Sequence, residues 1–297
     1  MARSNDRIGE YRVVGEVSRT PVAITLDAVH LVLPRRALIK IVSAPTERLA
    51  VRALREPYFL ETLEHPGIVR VYESALLPDR RPWFAREHVE GPTLATRMRP
   101  GLIDRADVIA ILRDLADVLA HAHGRGVIHG GLRPERIVLT DRTRGFPLCL
   151  VDWSDARAHD AMAVAYVPSP GGWPYAAPEL LAGESVDDRA DVFALGVIAY
   201  QLLTGVMPVT SQLVPTEVRC PDAPRELTGM IDQMLSFDRW DRPSASDVRA
   251  DLGWLGEAIA TSMLRMRRPR WTPQIAMASV PDDDYDELEI GDDRSEQ

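Results

Sequence analysis

The first third of the chain alternates apolar and polar residues in short runs separated by turn residues. Tyr11 to Val17, Val22 to Val32, Ala37 to Ser43, Val69 to Ser74 and Pro82 to Glu87 read as strands on this pattern. About Glu47 to Leu63 the alternation gives way to a helical pattern. Pro57 lies inside that stretch, where its missing amide strains the preceding turn or marks a new helix start. After Gly91-Pro92 the character changes to helices. Val108, Ile109, Leu112, Leu115, Ala116 and Leu119 predict a helix that begins near Asp104 and ends before Gly124. Val192 to Thr204 is apolar on nearly every face, as expected of a helix in the centre of a lobe. Pro224 to Leu235 and Ser246 to Met263 complete the set. The pattern predicts an α+β fold: a β-rich N-lobe over 11–87, a hinge at 88–91 and a helical C-lobe over 92–263. Residues 1–10 form an N-terminal extension and 264–297 a tail.

Composition narrows the class. Hydrophobic residues make up 45% and charged residues 27% of 297, the balance of an ordinary globular protein. No run of 18 apolar residues occurs, so no membrane span is expected, and the polar start carries no signal-peptide core. Cys149 and Cys220 are too few for a disulfide framework, and a reducing, cytoplasmic setting is the expectation. Cys149 sits among strand residues and reads as a small core side chain.

The net charge of -9 is unevenly spread. Between Pro281 and Gln297 nine acids face Arg294 alone, which leaves the rest of the chain nearly neutral. Bulk electrostatics therefore gives nucleic-acid binding no support. Arg265, Arg267, Arg268 and Arg270 form a basic cluster before Pro-containing and then acidic sequence. Such a tail buries too little apolar area to offset its chain entropy, and disorder is expected over 264–297. It reads either as a solubilising tail or as a docking or autoinhibitory element.

Of the 35 basic residues only Lys40 is a lysine. It lies in the strand Ala37-Leu38-Ile39-Lys40, and a compact ammonium suits a phosphate where a broad guanidinium does not. Glu56 precedes His65-Pro66-Gly67-Ile68-Val69, and Glu87-His88-Val89-Glu90-Gly91 follows the last predicted strand. His129 to Val138, Val151-Asp152-Trp153-Ser154, Ala177-Pro178-Glu179, Asp191 to Gly196 and Arg242-Pro243 come next in order. Together these resemble the signatures of a protein kinase of the bacterial Ser/Thr type, over roughly residues 10 to 263.

The resemblance implies a two-lobed protein-kinase-like fold. It makes Lys40 and Glu56 a phosphate-holding pair, Glu87 and Val89 part of a hinge whose backbone meets adenine, and Asp152 a metal ligand. ATP and Mg²⁺ are the cofactors it implies. His129, Glu179, Asp191 and Arg242 would be architectural, with His129 packed in the core.

The departures from the family pattern fall where the chemistry is done. Gly131 stands at the catalytic Asp position and Gly130 at the preceding Arg, so no catalytic residue is assigned. Arg133 replaces the loop lysine and Arg136 the metal-binding Asn, where a cation repels Mg²⁺. Ser18, Thr20 and Ala23 replace the three glycines of the phosphate loop, with Pro21 inside the turn. Gly172 replaces the threonine that bonds to the catalytic Asp, and Ser169 before Pro170 has no arginine partner evident. Arg86 takes the gatekeeper position and, being charged, must find a carboxylate, Glu56 or Asp152. Gly205 to Pro224 is too short and Pro-rich for the usual substrate-docking helix.

Two readings stay open for each surviving site residue. Lys40 and Glu56 either hold phosphate or form a salt bridge that fixes the helix to the sheet. Asp152 either binds Mg²⁺ or pairs with Arg136 or Lys40. The expected function is a catalytically inactive kinase-like domain, a pseudokinase. It would act as scaffold or allosteric regulator for a protein partner, an active kinase or its substrate, with nucleotide binding weak or absent. The alternative is an ATP-using enzyme on the same fold, a weak Ser/Thr kinase or other transferase, with Asp152 or Asp155 as metal ligand.

Overall fold

The computed structural model describes residues 5–43, 47–98, 103–141, 144–159, 172–209 and 212–267. The N-lobe is a six-stranded antiparallel sheet ordered β1-β2-β3-β4-β6-β5. Its strands are β1 (Arg7–Ile8), β2 (Tyr11–Arg19), β3 (Ala23–His30), β4 (Arg36–Val42), β5 (Val71–Leu76) and β6 (Pro82–Glu87). The sequence pattern places Arg7 and Ile8 in an extension; they pair with Arg12 and Tyr11 as a short edge strand instead. Val13, Leu26, Ile39, Ile41, Trp83 and Ala85 point to one face and form the lobe's own core.

Helix α1 (Glu47–Thr62) packs against this sheet and runs unbroken through Pro57. The single helical stretch expected over about 47–63 is present, and of the two effects expected of Pro57 a new helix start does not occur. Phe59, Leu60 and Leu63 are buried beyond the proline, and that burial outweighs a proline cost of about 3 kcal/mol.

The C-lobe contains α2 (Leu94–Arg97), α3 (Arg105–His123), α4 (Pro178–Ala182), α5 (Arg189–Thr204), α6 (Thr216–Arg219), α7 (Arg225–Met234) and α8 (Ala245–Arg267). Helix α5 is buried on every side from Ala190 to Tyr200, as its unbroken apolar run demands. A β-carbon on Gly196 would stand 2.8 Å from that of Met234, so glycine is what lets α5 and α7 approach. Between Gly205 and Pro224 the described residues hold a single helical turn, α6. Helix α8 continues to Arg267, four residues past the predicted end at Met263. Residues 268–297, most of the expected disordered tail, lie outside the described residues, as do Ser169 and Pro170.

Two small two-stranded antiparallel sheets carry the site. Strand β7 (Val127–Ile128) pairs with β10 (Arg157–Ala158), and β8 (Ile137–Leu139) with β9 (Leu148–Leu150). They bring 129–136 and 151–156 face to face under the N-lobe sheet.

Candidate functional site

Lys40 projects from β4 and meets Glu56 of α1, Nζ to Oε2, at 2.5 Å. Glu56 is 1% exposed and Lys40 15%, so the pair is largely withdrawn from water. The other Glu56 oxygen, Oε1, has no hydrogen-bond partner among the described residues.

Below it, the segment after β7 turns back through a one-turn 3-10 helix, Pro134–Arg136. Arg136 is 3% exposed and reaches in three directions. Nη1 donates to the Gly131 carbonyl at 2.9 Å and to Asp155 Oδ2 at 2.8 Å. Nη2 donates to Ser154 Oγ at 3.3 Å. Nε stands 3.0 Å from Asp152 Oδ2, a contact of charges without the alignment of a hydrogen bond.

Asp152 is thus surrounded by cations. Burial works to raise its pKa, but the charges of Arg136, Lys40 and Arg86, with a bond from Ser154, outweigh it and hold the carboxyl well below the usual range. Arg86 lies at the end of β6, and its Nη1 donates to the Val151 carbonyl. The expectation that it pairs with Glu56 or Asp152 is corrected: Lys40 occupies the first, and Arg136 lies against the second. Arg86 acts on Asp152 through space only.

His129 is fully buried and packs edge-on against Trp153, ring centres 4.6 Å apart. Its Nδ1 accepts from the Gly131 amide at 3.3 Å, and burial pushes its pKa down to about 4. Asp191 accepts from the His129 and Gly130 amides, each at 2.8 Å, and lies 2.9 Å from His123 Nε2. Glu179 takes two parallel bonds from Arg242, at 2.7 and 2.9 Å. Arg242 also donates to the carbonyls of Ser236, Phe237 and Arg189. Cys149 is buried, and desolvation pushes its thiol up to about 12, so it carries no thiolate chemistry.

The β2–β3 turn closes on itself. Thr20 N donates to the Ala23 carbonyl at 2.9 Å, while Thr20 Oγ1 accepts from the Val22 and Ala23 amides. Pro21 has no amide to offer. Glu87 and Val89 follow at the hinge, the first with its amide bonded to the Arg70 carbonyl at 2.8 Å and its carboxylate held by Arg144. Among the described residues, no group of three or more His, Cys, Asp or Glu side chains is placed to hold a metal ion.

This arrangement of two lobes, hinge and cleft residues has known counterparts. The family model for the protein kinase domain matches residues 25–252. The chain belongs to the protein kinase family. Serine/threonine-protein kinase Pkn1 of Myxococcus xanthus is 33% identical over 240 residues, 77% of this chain and 34% of that protein. PknI of Mycobacterium tuberculosis is 31% identical over 226 residues, 72% of this chain and 36% of that one. The crystal structure of the M. tuberculosis PknI kinase domain superposes with a TM-score of 0.67 at 26% identity, covering 88% of this chain and all of that one. The chain spans about a third of the length of the curated relatives it matches.

Within this kinase domain, the residues singled out by sequence fall into two groups. Lys40, Glu56, Asp152, Arg136 and Gly131 line one cleft; His129, Glu179, Asp191 and Arg242 sit in the C-lobe core. Sequence reasoning missed Arg144 and the Val151 carbonyl as partners, because a turn arginine and a main-chain oxygen carry no motif. Asp155 was legible only as a metal ligand. The signal for its real partner is Arg136: a buried guanidinium needs carboxylates.

Proposed function

We propose that this protein is a pseudokinase: a kinase domain that does not transfer phosphate and serves a bacterial signalling pathway as scaffold or allosteric regulator. The ligand it presents its lobes to is a protein, an active kinase or that kinase's substrate. The observation that carries this reading is the Arg136 guanidinium, lodged among Asp152, Asp155 and the Gly131 carbonyl. The family needs a carboxylate at 131 and a neutral metal ligand at 136.

Neither Mg²⁺ nor a triphosphate fits these residues. A divalent ion at Asp152 would stand against a guanidinium already in contact with that carboxylate. Lys40, Arg86 and Arg136 face Glu56, Asp152 and Asp155, so the cleft is neutral before any ligand arrives. The β2–β3 turn spends its amides internally, whereas a phosphate cradle needs them directed outward. Nucleotide binding is accordingly weak or absent.

Purified protein with labelled ATP, Mg²⁺ or Mn²⁺ and a generic Ser/Thr substrate tests the reading. Incorporation above background that disappears in Asp152→Ala would overturn it.

One observation favours a second reading, an ATP-using enzyme of altered chemistry. The Lys40–Glu56 pair is formed at 2.5 Å and Asp152 is held ionised, as a weak kinase or other transferase requires. Mass spectrometry of candidate partners after incubation with ATP, searched for phosphoryl and adenylyl adducts, separates the two.

A further inference from the structure

Arg86 and Glu87 are consecutive residues at the end of β6, so their side chains leave opposite faces of the strand. Each is held by the C-lobe. On the cleft side Arg86 Nη1 donates to the carbonyl of Val151, just after β9. On the far side the Glu87 carboxylate takes a two-pronged grip from Arg144, which lies in the turn before β9. The loop 65–69, between α1 and β5, is drawn into the same cluster. Arg144 Nε donates to the Pro66 carbonyl at 2.8 Å and Nη2 to the Ile68 carbonyl at 3.1 Å. Every nitrogen of the Arg144 guanidinium is engaged, and the side chain is only 13% exposed. Leu150 of β9 completes the join, giving its amide to Gly67 at 2.8 Å and its carbonyl to Val69 at 3.2 Å.

We infer that this cluster is a lock: two arginines cross the lobe boundary in opposite directions and fix the N-lobe on the C-lobe at one angle without any ligand. A hinge that closes on a nucleotide must leave its strand end free to turn. Here the strand end is stapled on both faces. A planar guanidinium that satisfies four acceptors from the hinge strand and the loop 65–69 resists rotation far better than a single ion pair. Being withdrawn from solvent, the Arg144–Glu87 pair is screened little by salt. The use of the lock rests on the pseudokinase reading, since a fixed lobe angle suits a scaffold that presents one surface. The lock itself does not depend on it.

Hydrogen exchange of the full chain, without nucleotide, tests the lock. In Arg144→Gln the amides of 64–70 and 85–91 should exchange about tenfold faster, the effect of about 1.4 kcal/mol of lost local stability. Those of α5 should not change. Glu87→Gln, which keeps the shape and removes the charge, should give a smaller increase in the same two segments; it decides the matter if Arg144→Gln does not fold. Small-angle scattering of Arg86→Gln with Glu87→Gln should show a larger radius of gyration than wild type. Wild-type exchange in both single variants, or an unchanged radius in the double variant, overturns the lock. A wild-type protein that proves to phosphorylate substrates but shows these shifts keeps the lock and loses only the pseudokinase reading.

Discussion

A β-carbon on Gly131 would overlap Arg136 Nη1, the atom that donates to the Gly131 carbonyl at 2.9 Å, and would stand 2.7 Å from Asp155 Oδ2. The missing carboxylate and the added guanidinium are therefore one change in two places. The glycine makes room for the arginine, and the arginine closes the space an aspartate would use.

This coupling predicts that restoring the aspartate alone fails. Gly131→Asp should destabilise the fold by about 1–3 kcal/mol through overpacking beside Asp155. Arg136→Asn should cost about 3–5 kcal/mol, because it removes the buried guanidinium that bonds Asp155 and lies against Asp152. In the double variant the two costs should fall short of their sum by about 1–3 kcal/mol, since the smaller asparagine leaves room for the aspartate. Urea denaturation of the four proteins closes the cycle; strict additivity would show that the two positions are independent.

Arg242 anchors Glu179 from a side chain with no exposure, and three carbonyls share its remaining donors. Arg242→Lys should still destabilise by about 2–4 kcal/mol, because one ammonium cannot reach both carboxylate oxygens and those carbonyls. Thermal unfolding measures this with or without any activity. An unchanged midpoint would mean that the bonds contribute nothing net.

Most of this architecture was legible in the sequence because the sheet buries alternate residues and α5 buries all of its faces. Tyr11, Val13, Ile39 and Ile41 carry the period of two, and Val192 to Tyr200 carry no polar face at all. The extent of α1 was legible in its helical pattern, but whether Pro57 would start a new helix was not, since the proline opposes continuity locally and only the tertiary burial of Phe59 and Leu60 overrules it. In the site, Lys40, Glu56 and Asp152 were found by their motifs, and Arg136 by its clash with one. The destination of Arg86 was misread because charge demands a counter-charge, yet a main-chain carbonyl accepts a guanidinium as well. Arg144 gave no signal because its partners are gathered from two distant stretches of chain, the loop 65–69 and the end of β6.

Acid should weaken the fold between about pH 6.5 and pH 4. Burial pushes the His129 ring down to about 4, whereas an unfolded histidine titrates near ~6.5. Between those values the unfolded chain binds a proton that the folded chain refuses, so stability falls as pH falls, by up to ~1.4 kcal/mol per pH unit. His121, also lowered by burial and by Arg125, adds in the same direction. Asp152 acts further down: its contribution is complete above the unfolded value near ~3.9 and is lost as pH drops below that toward its depressed folded value. Urea midpoints measured from about pH 7 to about pH 4.5 should decline, and His129→Gln should decline less steeply. A flat wild-type profile would count against a neutral buried His129.

Lys40 gives the sharpest test of the cleft, because it is the only lysine in the chain. An acyl-phosphate derivative of ATP can modify Lys40 or the N-terminal amine and no other amine, so peptide mapping assigns every adduct. With the ammonium 15% exposed and tied to Glu56 at 2.5 Å, Lys40 should label poorly, and excess ATP should not reduce what labelling there is. Its work would instead be structural. Lys40→Met strands Glu56, 1% exposed, without the one partner its carboxylate has in the described structure, and should cost about 3–5 kcal/mol. Strong labelling of Lys40 that ATP suppresses would show that phosphate reaches the ammonium despite the neutral cleft, and would move the balance to the ATP-using alternative. Weak labelling together with a large stability loss would make Lys40 a strut between β4 and α1, retained for the fold after the chemistry around it was replaced.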